Sequence, residues 1–220
     1  MAAYHNDGGL SHMTGWTKLA DNRKARLERG YARAGGRIVS QERIVDLLEA
    51  VIEPGDRVAV EGNNQKQADF LSRALAGTDP AKVRDLHLVQ SVLALPEHVD
   101  LIEQGQVGRI DFSFSGPQAG RLARLVEDGR IQIGAIHTYL ELFARYFVDL
   151  TPRVALIAAL AADKDGNLFT GANTEDTPAI VEATAFKSGI VIAQVNQIVD
   201  KLPRVDIPAD WVDFCPFGPS

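Results

Sequence analysis

Cysteine is almost absent from the sequence: the 220 residues contain one, Cys215. A single thiol excludes an internal disulfide framework and fits a reducing compartment, so a cytoplasmic location is predicted. The longest apolar run, residues 154–162, is far shorter than the roughly 20 residues that a membrane-spanning helix requires. The first residues lack the charged start and apolar stretch of a secretory signal, so no export is expected. A net charge of −6 gives no general attraction to nucleic acid or anionic membranes.

The sequence also lacks the common nucleotide, hydrolase and metal motifs. No G-x-G-x-x-G, G-x-x-x-x-G-K-[ST] or G-x-S-x-G pattern occurs, so dinucleotide, P-loop and α/β-hydrolase sites have no support. Residues 163–174 resemble a calcium loop, but the glycine comes fourth instead of sixth and Thr174 replaces the bidentate glutamate, so a turn is predicted. His137 and Glu141 would share a helix face, yet no third ligand is evident, and no metal is predicted.

What is present is an alternation of strand and helix patterns from residue 37 onward. Hydrophobic residues make up 45% of the chain, enough for a sizeable core. Short, nearly continuous apolar strands are separated by amphipathic segments of about ten residues, which is typical of a parallel sheet. We therefore predict an α/β fold, a mostly parallel sheet with helices on both faces, over residues 37–200.

The two flanks differ from this region in composition. Residues 1–36 are polar and locally basic, which predicts a solvated N-terminal arm or first helix, or else a docking segment for an acidic partner. The first thirteen of these residues need not be native. Residues 201–220 are rich in proline and aromatic residues. They are expected either to fold back on the domain or to link it to a second domain or partner subunit.

Polar turns follow four of the predicted strands. They are residues 62–65, 115–118, 137–138 and 171–175, and each combines glycine or neutral polar side chains. Any one of them alone is most simply a turn. In open α/β sheets, however, ligands bind at the carboxyl ends of the strands. Four such turns at one edge therefore indicate a site in which amide groups bind an oxyanion or a thioester.

Three long segments carry a family resemblance. Residues 61–75, 109–152 and 159–186 strongly resemble the alpha subunit of bacterial malonate decarboxylase. More distantly, "ADKDGNLFTGAN" is similar to family I CoA-transferases and to the citrate lyase alpha subunit. The resemblance extends from about Ala34 to about Asp210, and it implies a CoA-transferase-like lobe.

The resemblance implies an acyl-carrier-protein transferase. Such a subunit converts acetyl-S-carrier and malonate to malonyl-S-carrier and acetate, and other subunits then decarboxylate the product. The thiol belongs to a phosphoribosyl-dephospho-CoA arm of the carrier protein, which would enter the cleft as substrate. No cofactor bound tightly by this chain is expected. The implied partners are the acyl carrier protein and the other malonate decarboxylase subunits.

The resemblance also implies roles for particular residues. The residues expected to be catalytic are Gly62, Asn63 and Asn64, and those expected to bind the thioester are Gln65, Gly116, Gln118, His137 and Asn173. The two asparagines stand where CoA-transferases have a run of glycines, and His137 is expected to orient groups rather than to act as a base. The family's subunit is more than twice as long, with two lobes, and the catalytic glutamate of related CoA-transferases lies in the second. Neither Glu61 nor Glu175 matches its motif.

Two further interpretations remain open from the sequence. The chain could be a non-catalytic lobe that docks the carrier protein or neighbouring subunits. It could also be an α/β protein that binds a small molecule and has no role in acyl transfer.

Overall fold

The structure is a computed structural model, and it describes residues 15–63, 65–174 and 176–217. Within these residues the strands are β1 (Ile38–Val39), β2 (Arg57–Val60), β3 (Leu86–Val92), β4 (Val107–Phe114), β5 (Gln132–Ile136), β6 (Val154–Asp163), β7 (Leu168–Phe169), β8 (Ile190–Val199) and β9 (Cys215–Pro216). The helices there are α1 (Gly15–Ala34), α2 (Ile44–Val51), α3 (Asp69–Ala76), α4 (Pro96–Glu103), α5 (Ala119–Glu127), α6 (Tyr139–Val148) and α7 (Thr177–Phe186). None of the helices in this part of the chain has the length and apolar character needed to cross a membrane.

The main sheet is almost entirely parallel. Its strands follow the order β5-β4-β3-β2-β6, with β8 parallel to the outer side of β6. Only the short β7 is antiparallel, where it pairs with the end of β6. The predicted α/β fold with a mostly parallel sheet is therefore confirmed. After β2 the chain builds outward through β3, β4 and β5, and then it returns to place β6 on the other side of β2.

Alternating side chains divide the core between the two faces of the sheet. Val58 and Val60 of β2 belong to one buried cluster, and Ala59 between them belongs to the other. Leu71 of α3 packs in the first cluster, whereas Ile180 of α7 packs in the second. The helix after β2 and the helix after β6 and β7 thus cover opposite faces. This divergence opens a crevice at the carboxyl ends of β2 and β6, the place where open α/β sheets bind ligands.

One helix begins later than its sequence pattern indicates. The amphipathic spacing predicts a helix from Gln65, but α3 begins at Asp69. Gln67 instead forms an antiparallel bridge with Gly62, and the Ala68 N–H donates to the Glu61 carbonyl over 2.9 Å. These bonds hold Gly62, Asn63 and residues 65–67 close together, in an arrangement that the helical spacing does not reveal.

Both flanks pack on the domain in the described residues. Arg26 of α1 donates from Nε to the Val51 carbonyl over 2.6 Å. In the C-terminal segment, β9 pairs in parallel with β1, and Phe214 is fully buried, with its ring centroid 4.8 Å from that of Tyr31. The division into an arm (1–36), a domain (37–200) and a tail or linker (201–220) remains a prediction.

Candidate active site at the carboxyl edge of the sheet

The loop after β2 is closed by an asparagine side chain. Asn63 is 2% exposed, and its Oδ1 accepts hydrogen bonds from the backbone N–H groups of Gln65 and Lys66, over 2.8 and 2.9 Å. Its own N–H donates to the Lys66 carbonyl over 2.9 Å. Asparagine is suited to this position because its short amide imitates a backbone turn. The Asn63 side-chain oxygen is therefore occupied, and only its Nδ2 remains for a ligand.

Gly62 is required at the start of this loop by the side chains around it. A Cβ atom at Gly62 would lie 2.8 Å from Gln90 Nε2, closer than packed atoms allow. Gln90 in turn lies 2.9 Å from His98 Nδ1, and His98 Nε2 is 3.1 Å from Ser72 Oγ. Burial lowers the pKa of His98 to about 4, so its imidazole is neutral at physiological pH. A buried, uncharged network thus supports the loop from below.

Asn173 joins this loop to the segment that follows β7. Its Nδ2 donates to Gln65 Oε1 over 3.1 Å and lies 3.4 Å from Asn63 Oδ1. Gly171 permits the approach, since its φ of 92° is in the left-handed region that favours glycine. Residues 110 positions apart, Asn63 and Asn173, therefore meet at one point.

A cavity of about 320 Å³ opens beside this junction. Its wall is rich in amide side chains: Gln65, Gln67, Asn173, Gln194 and Asn196. Residues 158–160 in the middle of β6 and residues 170–172 after β7 complete the wall, and the charged residues on it are Lys66 and Asp69. Amide walls of this kind offer both donors and acceptors to a polar acyl group or to the amides of an extended arm.

Glu61, which contacts Ala158 and Lys66 of the cavity wall, is fully buried. Its Oε2 accepts from the Ala158 N–H over 2.7 Å, and its Oε1 accepts from the Thr177 hydroxyl and lies 3.0 Å from Lys66 Nζ. Lys66 Nζ also donates to Thr177 Oγ1 over 2.6 Å. Both carboxylate oxygens are engaged, so Glu61 holds neighbouring groups in position and is not a free nucleophile.

Two buried polar atoms of the loop have no hydrogen-bond partner within the described residues. They are Asn63 Nδ2 and Gln67 Oε1. An unpaired buried donor costs free energy unless something binds it. Asn63 Nδ2 is therefore a donor ready for an acceptor such as a carbonyl oxygen or an oxyanion.

The turn after β4 uses its amide differently. Gln118 donates from Nε2 to the Ala94 carbonyl over 3.4 Å, and its Oε1 accepts from Arg121 over 3.5 Å. Gly116 has a φ of 53° and packs against the Leu93 carbonyl. Neither Gly116 nor Gln118 is on the wall of the cavity next to Asn173. Their predicted role in thioester binding stays a prediction.

His137 belongs to a separate charged network. Its Nε2 lies 2.8 Å from Asp111 Oδ1, and His87 Nε2 lies 2.6 Å from Asp111 Oδ2. The Nδ1 of His137 is 3.2 Å from Glu141 Oε1. Burial by itself would raise the pKa of Asp111, but the hydrogen bonds from His137 and His87 outweigh it and hold that pKa below its ordinary value. His137 contacts a carboxylate, but it is not on the cavity wall, and its predicted part in binding stays a prediction.

The structure therefore brings together Gly62, Asn63, Gln65 and Asn173 from the predicted set. Asn64 and Glu175 lie outside the described residues. Sequence reasoning gave no role to Lys66, although a lysine directly after Gly-Asn-Asn-Gln could have been noted as the one cation of that turn. It also missed Gln67, which the helical pattern had placed inside a helix.

Comparisons with known proteins agree on one family. A family model described as "Malonate decarboxylase, alpha subunit, transporter" matches residues 15–219. The curated acetyl-S-ACP:malonate ACP transferase of Malonomonas rubra is 54% identical over 199 residues, which cover 90% of this chain and 36% of that protein. The chain thus spans just over a third of the length of this relative.

Solved structures with high and with low sequence identity to the chain agree with this result. The crystal structure of a Pseudomonas malonate decarboxylase hetero-tetramer in complex with malonate contains a chain that is 57% identical, with a TM-score of 0.89 over 92% of this chain and 38% of that one. Glutaconate coenzyme A-transferase from Acidaminococcus fermentans is 13% identical, with a TM-score of 0.65 over 84% of this chain and 76% of that one. The second likeness concerns the fold alone, and it confirms the predicted CoA-transferase-like lobe.

Proposed function

Because the chain belongs to the malonate decarboxylase alpha-subunit family, we propose that it supplies the acyl-transfer site of an acyl-carrier-protein transferase. The reaction converts acetyl-S-carrier and malonate to malonyl-S-carrier and acetate. The acetyl thioester is replaced by a malonyl thioester, and one acetate is released for each malonate consumed. The 54% identity to an acetyl-S-ACP:malonate ACP transferase supports this reaction. The acyl carrier protein and further subunits are the proposed partners, and the cytoplasm is the proposed location.

The single observation that carries the proposal is the buried, unpaired Asn63 Nδ2, in a side chain whose oxygen lies 3.4 Å from Asn173 Nδ2 on the wall of the amide-lined cavity. Acyl transfer from a thioester passes through species in which negative charge develops on the former carbonyl oxygen. A preorganised donor aimed at that oxygen lowers the barrier, and the loss of one such donor typically costs about 3 kcal/mol. Asn63 Nδ2 and Asn173 Nδ2 are the side-chain donors proposed for this role, with Gly62, Asn64 and Gln65 supplying further loop contacts.

The amide-rich wall suits the proposed substrate arm. A phosphoribosyl-dephospho-CoA arm carries amides near its thiol, and the side chains of Gln65, Gln67 and Gln194 offer donors and acceptors to them. In this proposal the arm is a substrate and no cofactor is resident. Glu61 keeps Lys66 and the start of α7 in register with the loop.

Transfer of label tests the proposal. The chain is incubated with acetylated carrier protein and labelled malonate, and label on the carrier thioester is the expected result. An Asn63→Asp variant keeps the oxygen that accepts the two loop N–H bonds but removes the donor. It should transfer about 100-fold more slowly, whereas the matched amide-to-acid change Gln132→Glu, at an exposed position away from the cavity, should leave the rate near that of the wild type.

Two outcomes point elsewhere. Carrier binding without any label transfer would favour the non-catalytic docking lobe, because the chain spans only 36% of its curated relative. Equal rates for wild type and Asn63→Asp would remove the oxyanion role. A parallel melting curve shows whether a slower Asn63→Asp variant is still folded.

A further inference from the structure

Lys66 is a cation held in an unusual place. Its side chain is 12% exposed, although lysines ordinarily extend their ammonium group into water. The ammonium lies 3.0 Å from Glu61 Oε1 and donates to Thr177 Oγ1 over 2.6 Å. An ammonium group has three N–H donors, so these two contacts leave one. Lys66 also forms part of the cavity wall, where that third donor can meet a ligand.

The second charged residue on the cavity wall and the carboxylate that contacts Lys66 are both engaged by other groups. Asp69, the second charged residue on the wall, accepts from Gln194 Nε2 and from Arg73, each over 2.9 Å. The Glu61 carboxylate is shared among Ala158, Thr177 and Lys66. Helix α7, which is ten residues long, begins at Thr177, so its positive end lies beside the same ammonium. An anion in this cavity would therefore meet Lys66 as its cation.

We propose that Lys66 determines specificity by binding the distal carboxylate of a malonyl group. The inference rests on the proposed acyl transfer and names the residue that would distinguish its two acids. Acetate and malonate differ by one carboxylate, and the amides of the wall can bind the group that they share. A fixed ammonium strengthens the binding of the acid that carries the additional carboxylate. Glu61 is the positioning residue, because it keeps the ammonium from reaching solvent.

The test compares malonyl-pantetheine with malonamoyl-pantetheine, in which the single, distal carboxylate is replaced by a neutral amide of the same shape. Binding of each thioester to the chain is measured by calorimetry for wild type, Lys66→Gln and Lys66→Arg. Lys66→Gln should weaken binding of malonyl-pantetheine about tenfold or more and leave binding of malonamoyl-pantetheine unchanged. Lys66→Arg, which keeps the charge, should recover part of the preference. The control is Lys164→Gln, since the Lys164 side chain is 77% exposed and paired with Asp200 on the surface.

The opposite results are equally clear. Unchanged affinity for malonyl-pantetheine in Lys66→Gln, equal loss for both thioesters, or no preference for malonyl-pantetheine in the wild type would each overturn the inference. If Lys66→Gln unfolds because Glu61 has lost its partner, the double change Glu61→Gln with Lys66→Gln removes both charges and is measured instead. Label transfer is followed in parallel. Lys66-dependent binding of malonyl-pantetheine without transfer contradicts only the proposed reaction, and transfer with malonyl-pantetheine binding independent of Lys66 contradicts only this inference.

Discussion

Two turns at the same edge of the sheet look alike in sequence and differ in what their amides do. After β2, the Asn63 side chain closes the loop, Asn173 reaches it from a distant segment, and a buried donor is left unpaired. After β4, Gln118 bonds to the neighbouring Ala94 carbonyl and faces no shared cavity with the first turn. The difference follows from position: β2 lies where the strand order reverses, whereas β4 lies between β3 and β5. A turn at the end of a strand forms a binding site where the strand order reverses. The number of amide side chains in the turn does not by itself determine whether a site forms.

The same contrast extends to the layer beneath each turn. Below Gly62, Gln90 and Ser72 contact a histidine, His98, whose pKa is lowered to about 4. Within β4, the strand that precedes the second turn, Asp111 is ionised and is contacted by two histidines. One network needs a neutral imidazole and the other needs a charged carboxylate, so the two turns should respond differently to mutation and to acid.

The largest difference in stability is expected between variants of Glu61, beside the turn after β2, and of Glu141, in the His137 network. Glu61→Ala removes a fully buried carboxylate with three partners and leaves Lys66 unpaired, which should lower the free energy of unfolding by about 3–5 kcal/mol. Glu141→Ala removes the outer end of the His137 network, where the glutamate side chain is 49% exposed, and should cost far less. Urea denaturation of both variants measures the comparison. Similar losses would mean that the contacts of Glu61 do not contribute more stability than those of Glu141.

Protonation of His98 should lower stability at a higher pH than protonation of Asp111. His98 is neutral when folded, with a pKa of about 4 against an ordinary value of 6.5. The unfolded chain therefore binds the additional proton first as pH falls. Stability should decrease between about pH 6.5 and pH 4, by about 3 kcal/mol in total. His98→Gln should flatten this part of the stability curve, and an unchanged slope would show that His98 is not buried in a neutral network.

The Asp111 carboxylate should respond only at lower pH. The pKa of Asp111 is held below 3.8 by its two histidine neighbours, against the effect of burial. Its contribution is therefore complete above the unfolded pKa and is lost as pH falls through the lower folded value. Asp111→Asn should cost about 1–3 kcal/mol at neutral pH and remove this acid-dependent loss. If the loss of stability between about pH 6.5 and pH 4 disappeared in the Asp111→Asn variant, the His98 window would instead belong to this network.

The smallest effect is expected at Gln118. Gln118→Ala removes long hydrogen bonds of 3.4 and 3.5 Å from a partly exposed turn. The free energy of unfolding should fall by less than about 1 kcal/mol, and label transfer should be unchanged. A large loss of transfer would instead place this turn in the site and remove the contrast between the two turns.

The strands, helices and edge of the sheet were accessible from sequence because each has a local signal. Apolar runs such as residues 154–162 are confirmed as strands, and the turns at their carboxyl ends are where the patterns stop. The meeting of Asn63 with Asn173 was not accessible, because it depends on β6 returning beside β2 after three intervening strands. Nor was the pairing of Glu61 with Lys66, since two charged residues on either side of a turn carry no periodic pattern. Periodicity also extended α3 over Gln67, which tertiary contacts draw into the loop.

The most direct test follows the side-chain amide signals of the chain by NMR while malonate and then an acetyl-CoA thioester are added. The account predicts that the Asn63, Gln65 and Asn173 amides shift together at the same ligand concentration, and that the Gln118 amide does not move. Shifts at Gln118 with none at Asn63 and Asn173 would contradict it.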